Sequence, residues 1–220
     1  MKMDGDNKQP AAEVAYQAVR ARIMSGDLAD GERLKEQTLA SEMGLSRTPV
    51  REAITRLIHE GFVERGEGYS TRVASFPDGE LDQIFEIRRR LESYAAERAA
   101  ERATPRQIDE LDALTSEMEA LTPPKTEAAY QQIAVINATF HRIISDAAQA
   151  PRLKAVLAMA VDIGIVSRTY RSYSDADLIR SARHHRELVD AIRARAPDWA
   201  SSVMSSHVLA AARSAQRREG

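Results

Sequence analysis

Apolar positions in the first sixty residues recur at helical intervals. Val14, Ala15, Ala18, Val19 and Ile23 fall three and four apart, which predicts an amphipathic helix that stops at the turn cluster Ser25-Gly26-Asp27. Leu39, Ala40 and Met43 mark a second, short helix closed by Gly44. A third begins around Ser46–Pro49 and carries Val50, Ala53, Ile54, Leu57 and Ile58 on one face before Gly61 ends it. Pro49 fits the first turn, where a backbone donor is not needed. The period then changes. From Phe62 to Val73, β-forming residues alternate around the tip Gly66-Glu67-Gly68, which predicts a two-stranded hairpin.

Phe76-Pro77-Asp78-Gly79 reads as a linker, and every later segment is helical in pattern. Proline follows Thr104, Ala150 and Ala196, each time where a new helix is expected, and Thr122-Pro123-Pro124 breaks another. The expected helices lie near 80–103, 105–121, 126–149, 151–171, 175–195 and 197–217, and a bundle is their natural packing. The predicted organisation is a disordered polar tail (1–10), a DNA-binding domain (11–75), a linker (76–79) and a helical domain (80–220). The fold class is mainly α, a winged helix-turn-helix followed by an all-α helical bundle.

Composition narrows the chemistry. The chain of 220 residues has no cysteine, which removes disulfides and thiolate metal ligands. Residues 1–10 lack the apolar core of a signal peptide. The most apolar stretch, 155–166, includes Asp162 and is too short to span a bilayer. A cytoplasmic protein without membrane contact is expected. Residues 1–75 carry 11 Lys+Arg against 12 Asp+Glu, so no bulk basic surface draws this half to nucleic acid. Any DNA contact must rest on a few placed arginines, since specificity comes from individual base contacts.

Those arginines sit on the third helix. Ala40, Gly44 and Val50 have helix-turn-helix spacing: a small residue where helices cross, a glycine for the left-handed turn, an apolar residue seating the next helix. Arg47, Arg51 and Thr55 are four apart on the face opposite the apolar stripe, and Thr48 lies on the exposed first turn. A helix entering the major groove presents such N-terminal side chains to base edges, and arginine matches guanine with two hydrogen bonds. By pattern alone, the same residues also suit an ordinary solvated helix face.

The string Ser46-Arg47-Thr48-Pro49-Val50-Arg51-Glu52-Ala53 goes further, as do Gly31-Glu32-Arg33-Leu34 and Glu60-Gly61-Phe62-Val63. Together they resemble the GntR family of bacterial regulators, and the helices after the linker resemble its fatty-acid-regulator (FCD) branch. Six helices rather than seven would place the chain in the vanillate-regulator subgroup. The resemblance spans roughly residues 12–217. It implies DNA contacts from Gln37, Arg47, Thr48 and Arg51, with Gly68 in the wing. At the wing tip this chain carries Glu67, where a basic or small polar residue is common. A carboxylate facing phosphates is unfavourable, and Arg65 or Arg72 would then serve instead.

Four of the five histidines lie beyond the linker: His141, His184, His185 and His207. Asn137 and His141 share a helical face, but spacing alone says nothing more about the others. The resemblance assigns Asn137, His141, His185 and His207 as ligands of a divalent transition metal, zinc or nickel foremost. Asn137 stands where an aspartate is usual, which weakens the site without removing it. His184 points about 100° away around its helix and reads as a neighbour or surface residue. Open metal positions would take a small-molecule carboxylate effector, with Arg88 pairing another carboxylate. Arg88 equally suits a helix surface or interface.

The resulting expectation is a ligand-responsive repressor that binds a palindromic operator as a homodimer, with residues 74–79 and the following helix as the element linking ligand to DNA. A metal-dependent enzyme and a regulator with a purely structural metal are the rival readings. No His-Glu-x-x-His arrangement supports the enzyme.

Overall fold

The computed structural model describes residues 10–66, 68, 70–75, 79–160 and 173–216. They form two compact units that divide within the linker.

In the first unit, α1 (Ala11–Ser25), α2 (Glu36–Met43) and α3 (Arg47–His59) enclose one apolar core. Its centre holds Ala15, Val19, Val50, Leu57 and Phe62, all without solvent exposure. Most of the stripes read from the sequence are buried: Val50, Ala53, Ile54 and Leu57 face inward from α3, whereas Ile58, Ala18 and Met43 are half-buried and Val14 is exposed. Gly44 ends α2 at φ 64° and ψ 27°. A side chain there would meet open space, so it is the left-handed backbone that calls for glycine. Ala40, 4% exposed, and Val50 complete the helix-turn-helix.

The wing has one strand more than the sequence pattern predicts. Arg33–Leu34 (β1) pairs antiparallel with Thr71–Val73 (β3), which pairs with Val63–Arg65 (β2), giving the order β1-β3-β2. Two residues are too few to show a period of two, so β1 is recognisable only once β3 lies beside it.

The second unit is helical throughout its described residues: α4 (Glu80–Arg102), α5 (Pro105–Leu121), α6 (Glu127–Ala147), α7 (Pro151–Ala160), α8 (Asp175–Arg193) and α9 (Pro197–Gln216). Proline opens α5, α7 and α9 as the sequence pattern requires. Thr104 and Gln107 form a reciprocal capping box at α5, and Ser174 and Asp177 do the same at α8. The expected helix 151–171 is seen to Ala160, and its remainder lies outside the described residues. The choice between six and seven helices, and with it the subgroup, depends on that same stretch. The linker residues 76–78, Glu67 and the tail 1–9 also lie outside them.

α4 packs lengthwise on α9 and also contacts α6, α7 and α8. Its buried alanines, Ala95, Ala96, Ala99 and Ala100, share one core with Ala200, Met204, Val208 and Ala211 of α9. Short side chains let these helices approach closely. That approach brings α4, α6, α8 and α9 together around the histidines.

Candidate functional sites

Three histidines from three helices meet inside the second unit. His141 of α6, His185 of α8 and His207 of α9 each offer a ring nitrogen, and these atoms all lie within 4.8 Å of one another. Ring centroids are 5.6 Å apart for His141 and His185, 5.2 Å for His141 and His207, and 4.7 Å for His185 and His207. His185 is fully buried and His207 is 5% exposed. Phe140 walls the site with its ring 4.5 Å from His185.

The hydrogen bonds fix which nitrogens are available. His185 Nδ1 lies 2.7 Å from the Ser181 carbonyl oxygen, so in the neutral ring Nδ1–H donates there and Nε2 carries the lone pair. Burial, and next the neighbouring His141, push His185 down to about 3, so it is neutral near pH 7. His207 is driven well below its ordinary value by burial first and by His185 second. Both rings are therefore in the form that ligates metals.

Nε2 of His185 faces Oδ1 of Asn137 at 3.0 Å. As oriented, two lone-pair atoms oppose each other. Neighbouring ligand atoms on an ion with bonds of about 2.1 Å stand roughly 3.0 Å apart at right angles, so this spacing suits two ligands of one ion. Without an ion, turning the amide by half a rotation lets its N–H donate to His185 instead.

His141 adds a second sign of fit. Its Nδ1 is 2.7 Å from Oε2 of Glu92, and its buried Nε2 has no hydrogen-bond partner among the described residues. Through its other oxygen, Oε1, Glu92 accepts from Arg88 Nε at 2.8 Å. Burial pushes the Glu92 carboxyl up, but Arg88 and His141 outweigh it and hold the group down at about 2. The row Arg88–Glu92–His141 therefore resembles the carboxylate–histidine support of many metal sites. Glu92 was missed by sequence reasoning. It lies 49 residues before its partner, and only the crossing of α4 and α6 joins them.

The other sensing residues fall around this centre. Arg88 is 4% exposed, and its terminal nitrogens make no hydrogen bond among the described residues. His184 is half-buried with its ring 5.9 Å from His207, and it lines a cleft with Tyr173, Arg180 and His207. It is not one of the three converging histidines.

On the first unit, Gln37, Arg47, Thr48 and Arg51 are all exposed, Gln37 on the first turn of α2 and the rest on α3. Arg47 and Arg51 converge on a single carboxylate, that of Glu36. Thr55 folds its hydroxyl back to donate to the Arg51 carbonyl at 2.8 Å. In the wing, Gly68 is exposed with φ 65°. Arg72 is tied to Glu64 across the strands at 2.8 Å, and Arg65 is exposed.

A family model described as the FCD domain matches residues 83–210, and one described as bacterial regulatory proteins of the gntR family matches residues 11–73. The chain belongs to the FCD branch of the GntR regulators. Members of this family are DNA-binding transcriptional regulators and not enzymes, which sets aside the metal-dependent enzyme.

Relatives agree along the chain's length. It is 29% identical over 213 residues to a probable D-xylose utilization operon transcriptional repressor of Paenarthrobacter nicotinovorans, covering 94% of this chain and 92% of that one. It is 27% identical over 195 residues to the HTH-type transcriptional regulator YdhC of Bacillus subtilis, covering 89% and 84%. Among solved structures, Escherichia coli McbR/YncC shares the fold with a TM-score of 0.72 at 22% identity, over 96% of this chain and all of the other. Among the described residues no helix is long and apolar enough to cross a membrane.

Proposed function

We propose that this GntR regulator is a metal-assisted sensor of small carboxylic acids, which represses by binding a palindromic operator as a homodimer and changes its hold on DNA when an acid binds. The observation that carries the reading is the convergence of His141, His185 and His207 beside a buried arginine with spare donors. Asn137, His141, His185 and His207 would hold a divalent transition ion, zinc or nickel foremost. That ion would supply a Lewis-acid anchor for a carboxylate oxygen.

The chain's own residues do the rest. The Ser181 carbonyl orients the His185 imidazole with Nε2 turned inward, and the Glu92 carboxylate lies against Nδ1 of His141. Arg88 spends Nε on Glu92 and keeps its outer edge for a second carboxylate. Phe140 and the surrounding core limit water around the histidines. In the first unit, Gln37, Arg47, Thr48 and Arg51 would meet bases and phosphates in the major groove, with Gly68 letting the wing backbone approach the duplex. A two-fold dimer would set two such helices about one turn of DNA apart.

The test begins with metal content. Untagged protein purified without chelator should carry near-stoichiometric zinc, nickel or a similar ion by plasma mass spectrometry, and His141→Ala should not. Succinate and citrate, titrated against protein bound to a selected duplex, should shift DNA affinity in the wild type only. If both proteins lack metal, the metal-assisted sensor is wrong. If metal is present and adds stability, yet DNA affinity ignores every acid, the ion is structural.

A further inference from the structure

The recognition arginines are not free in this structure. Arg51 donates from Nε to Glu36 Oε1 at 3.1 Å and Oε2 at 3.2 Å, and from Nη2 to Oε2 at 2.8 Å. Arg47 Nη2 reaches the same Oε2 at 3.2 Å. Glu36 itself is held on the first turn of α2 with a quarter of its side chain exposed. The hydrogen bond from Arg51 outweighs burial, which pushes the other way, and with Arg47 keeps the carboxyl below the ordinary range, so it is charged at neutral pH.

A guanidinium has five N–H groups in a planar fork. Glu36 takes the side edge of Arg51, formed by Nε–H and one hydrogen of Nη2. The outer edge, formed by Nη1 and the other hydrogen of Nη2, keeps two parallel donors. That edge matches O6 and N7 of guanine. A carboxylate on one side of the fork also fixes the plane of the other, which a long exposed side chain cannot do alone.

We propose that Glu36 is a specificity-determining positioning residue: it clamps the side edge of Arg51, with Arg47 as a second anchor, so that the outer edge meets a guanine in the operator. Its negative charge also opposes capture of these arginines by phosphates, which lowers binding to duplexes of any sequence. This rests on the reading of α3 as the DNA reader, and the test separates the two.

The experiment selects bound sequences from a randomised duplex library, using full-length wild type, Glu36→Gln, Arg51→Ala and Glu42→Gln. Glu42 is the control. It is an exposed acid on the same helix, paired with Arg22 at 2.6 Å and touching neither recognition arginine. Arg51→Ala should erase a guanine preference at one or more positions of the selected site. Glu36→Gln should lower the preference at those positions about tenfold, within the discrimination a bidentate contact gives. It should also raise affinity for a duplex lacking the site and steepen the salt dependence.

Glu42→Gln should raise affinity for all duplexes slightly and leave the preferences as they are. Circular dichroism and thermal midpoints confirm that each variant is folded. If Glu36→Gln behaves like Glu42→Gln while Arg51→Ala erases the preference, Glu36 is only a counterion that DNA displaces, and the proposal fails. If Arg51→Ala also leaves every preference intact, the assignment of α3 as reader fails with it.

Discussion

Two acidic residues, Glu36 and Glu92, do the same kind of work in different units. Each lies against a side chain proposed to contact DNA or metal. Glu36 is exposed enough that its ion pairs contribute little to stability, so its effect should lie in binding. Glu92 is buried, and its loss should show in metal affinity. Glu92→Gln is expected to weaken zinc binding roughly 10- to 100-fold in a competition titration, the usual range for such supporting partners. Unchanged zinc affinity would remove Glu92 from the site. Arg88 calls for a gentler probe. Removing it entirely breaks a buried ion pair and strips the Glu92 carboxylate of its guanidinium, which costs about 3–5 kcal/mol. Arg88→Lys can keep that pair while giving up the fork, so succinate affinity should fall with the thermal midpoint little changed. A large drop in the midpoint together with intact acid binding would mean that Arg88 serves only the fold.

Elements were legible wherever the sequence carries punctuation or a long period. Prolines 105, 151 and 197 mark helix starts, and four of the five residues of the α3 stripe are buried, with Ile58 half-buried at its end. What stayed hidden depends on contact between elements. β1 is two residues long, and the pairs Glu36–Arg51 and Glu92–His141 join different helices. No local pattern encodes such a meeting. The histidines illustrate the same limit: their spacing along the chain said nothing, and only a family likeness gathered them. The helix-turn-helix offers a stability test at this scale. Leu57 is wholly buried on α3, so Leu57→Ala should cost about 2–5 kcal/mol in urea unfolding of the first unit. A loss below about 1 kcal/mol would show that this core does not depend on the α3 stripe.

The whole molecule should register the buried histidines through pH. In the metal-free protein, His185 stays neutral down to about 3, whereas in the unfolded chain it protonates near its ordinary value of 6.5. The folded value is the lower one. Stability from this group is therefore complete above pH 6.5 and is lost as the solution is acidified toward 3. His207 acts in the same direction. Each such group removes about 1.4 kcal/mol per pH unit within its window. Chelator-treated protein should become less stable from pH 6.5 to 5, above the range where ordinary carboxylates titrate. A double variant, His185→Gln with His207→Gln, should show a flatter profile, and matching slopes would contradict the assignment.

The alanine row of α4 has a consequence for how finely this centre can be adjusted. A methyl group has no rotamers, so Ala95, Ala96, Ala99 and Ala100 lose no side-chain freedom on burial and have none with which to absorb a misfit. They lie on α4, the helix that carries Glu92, in the core it shares with α9, the helix that carries His207. A longer side chain at Ala96, one turn beyond Glu92, has nowhere to fold away. The tolerance of the proposed metal site would thus depend on this row, and substitutions along it should alter ligation before they unfold the bundle.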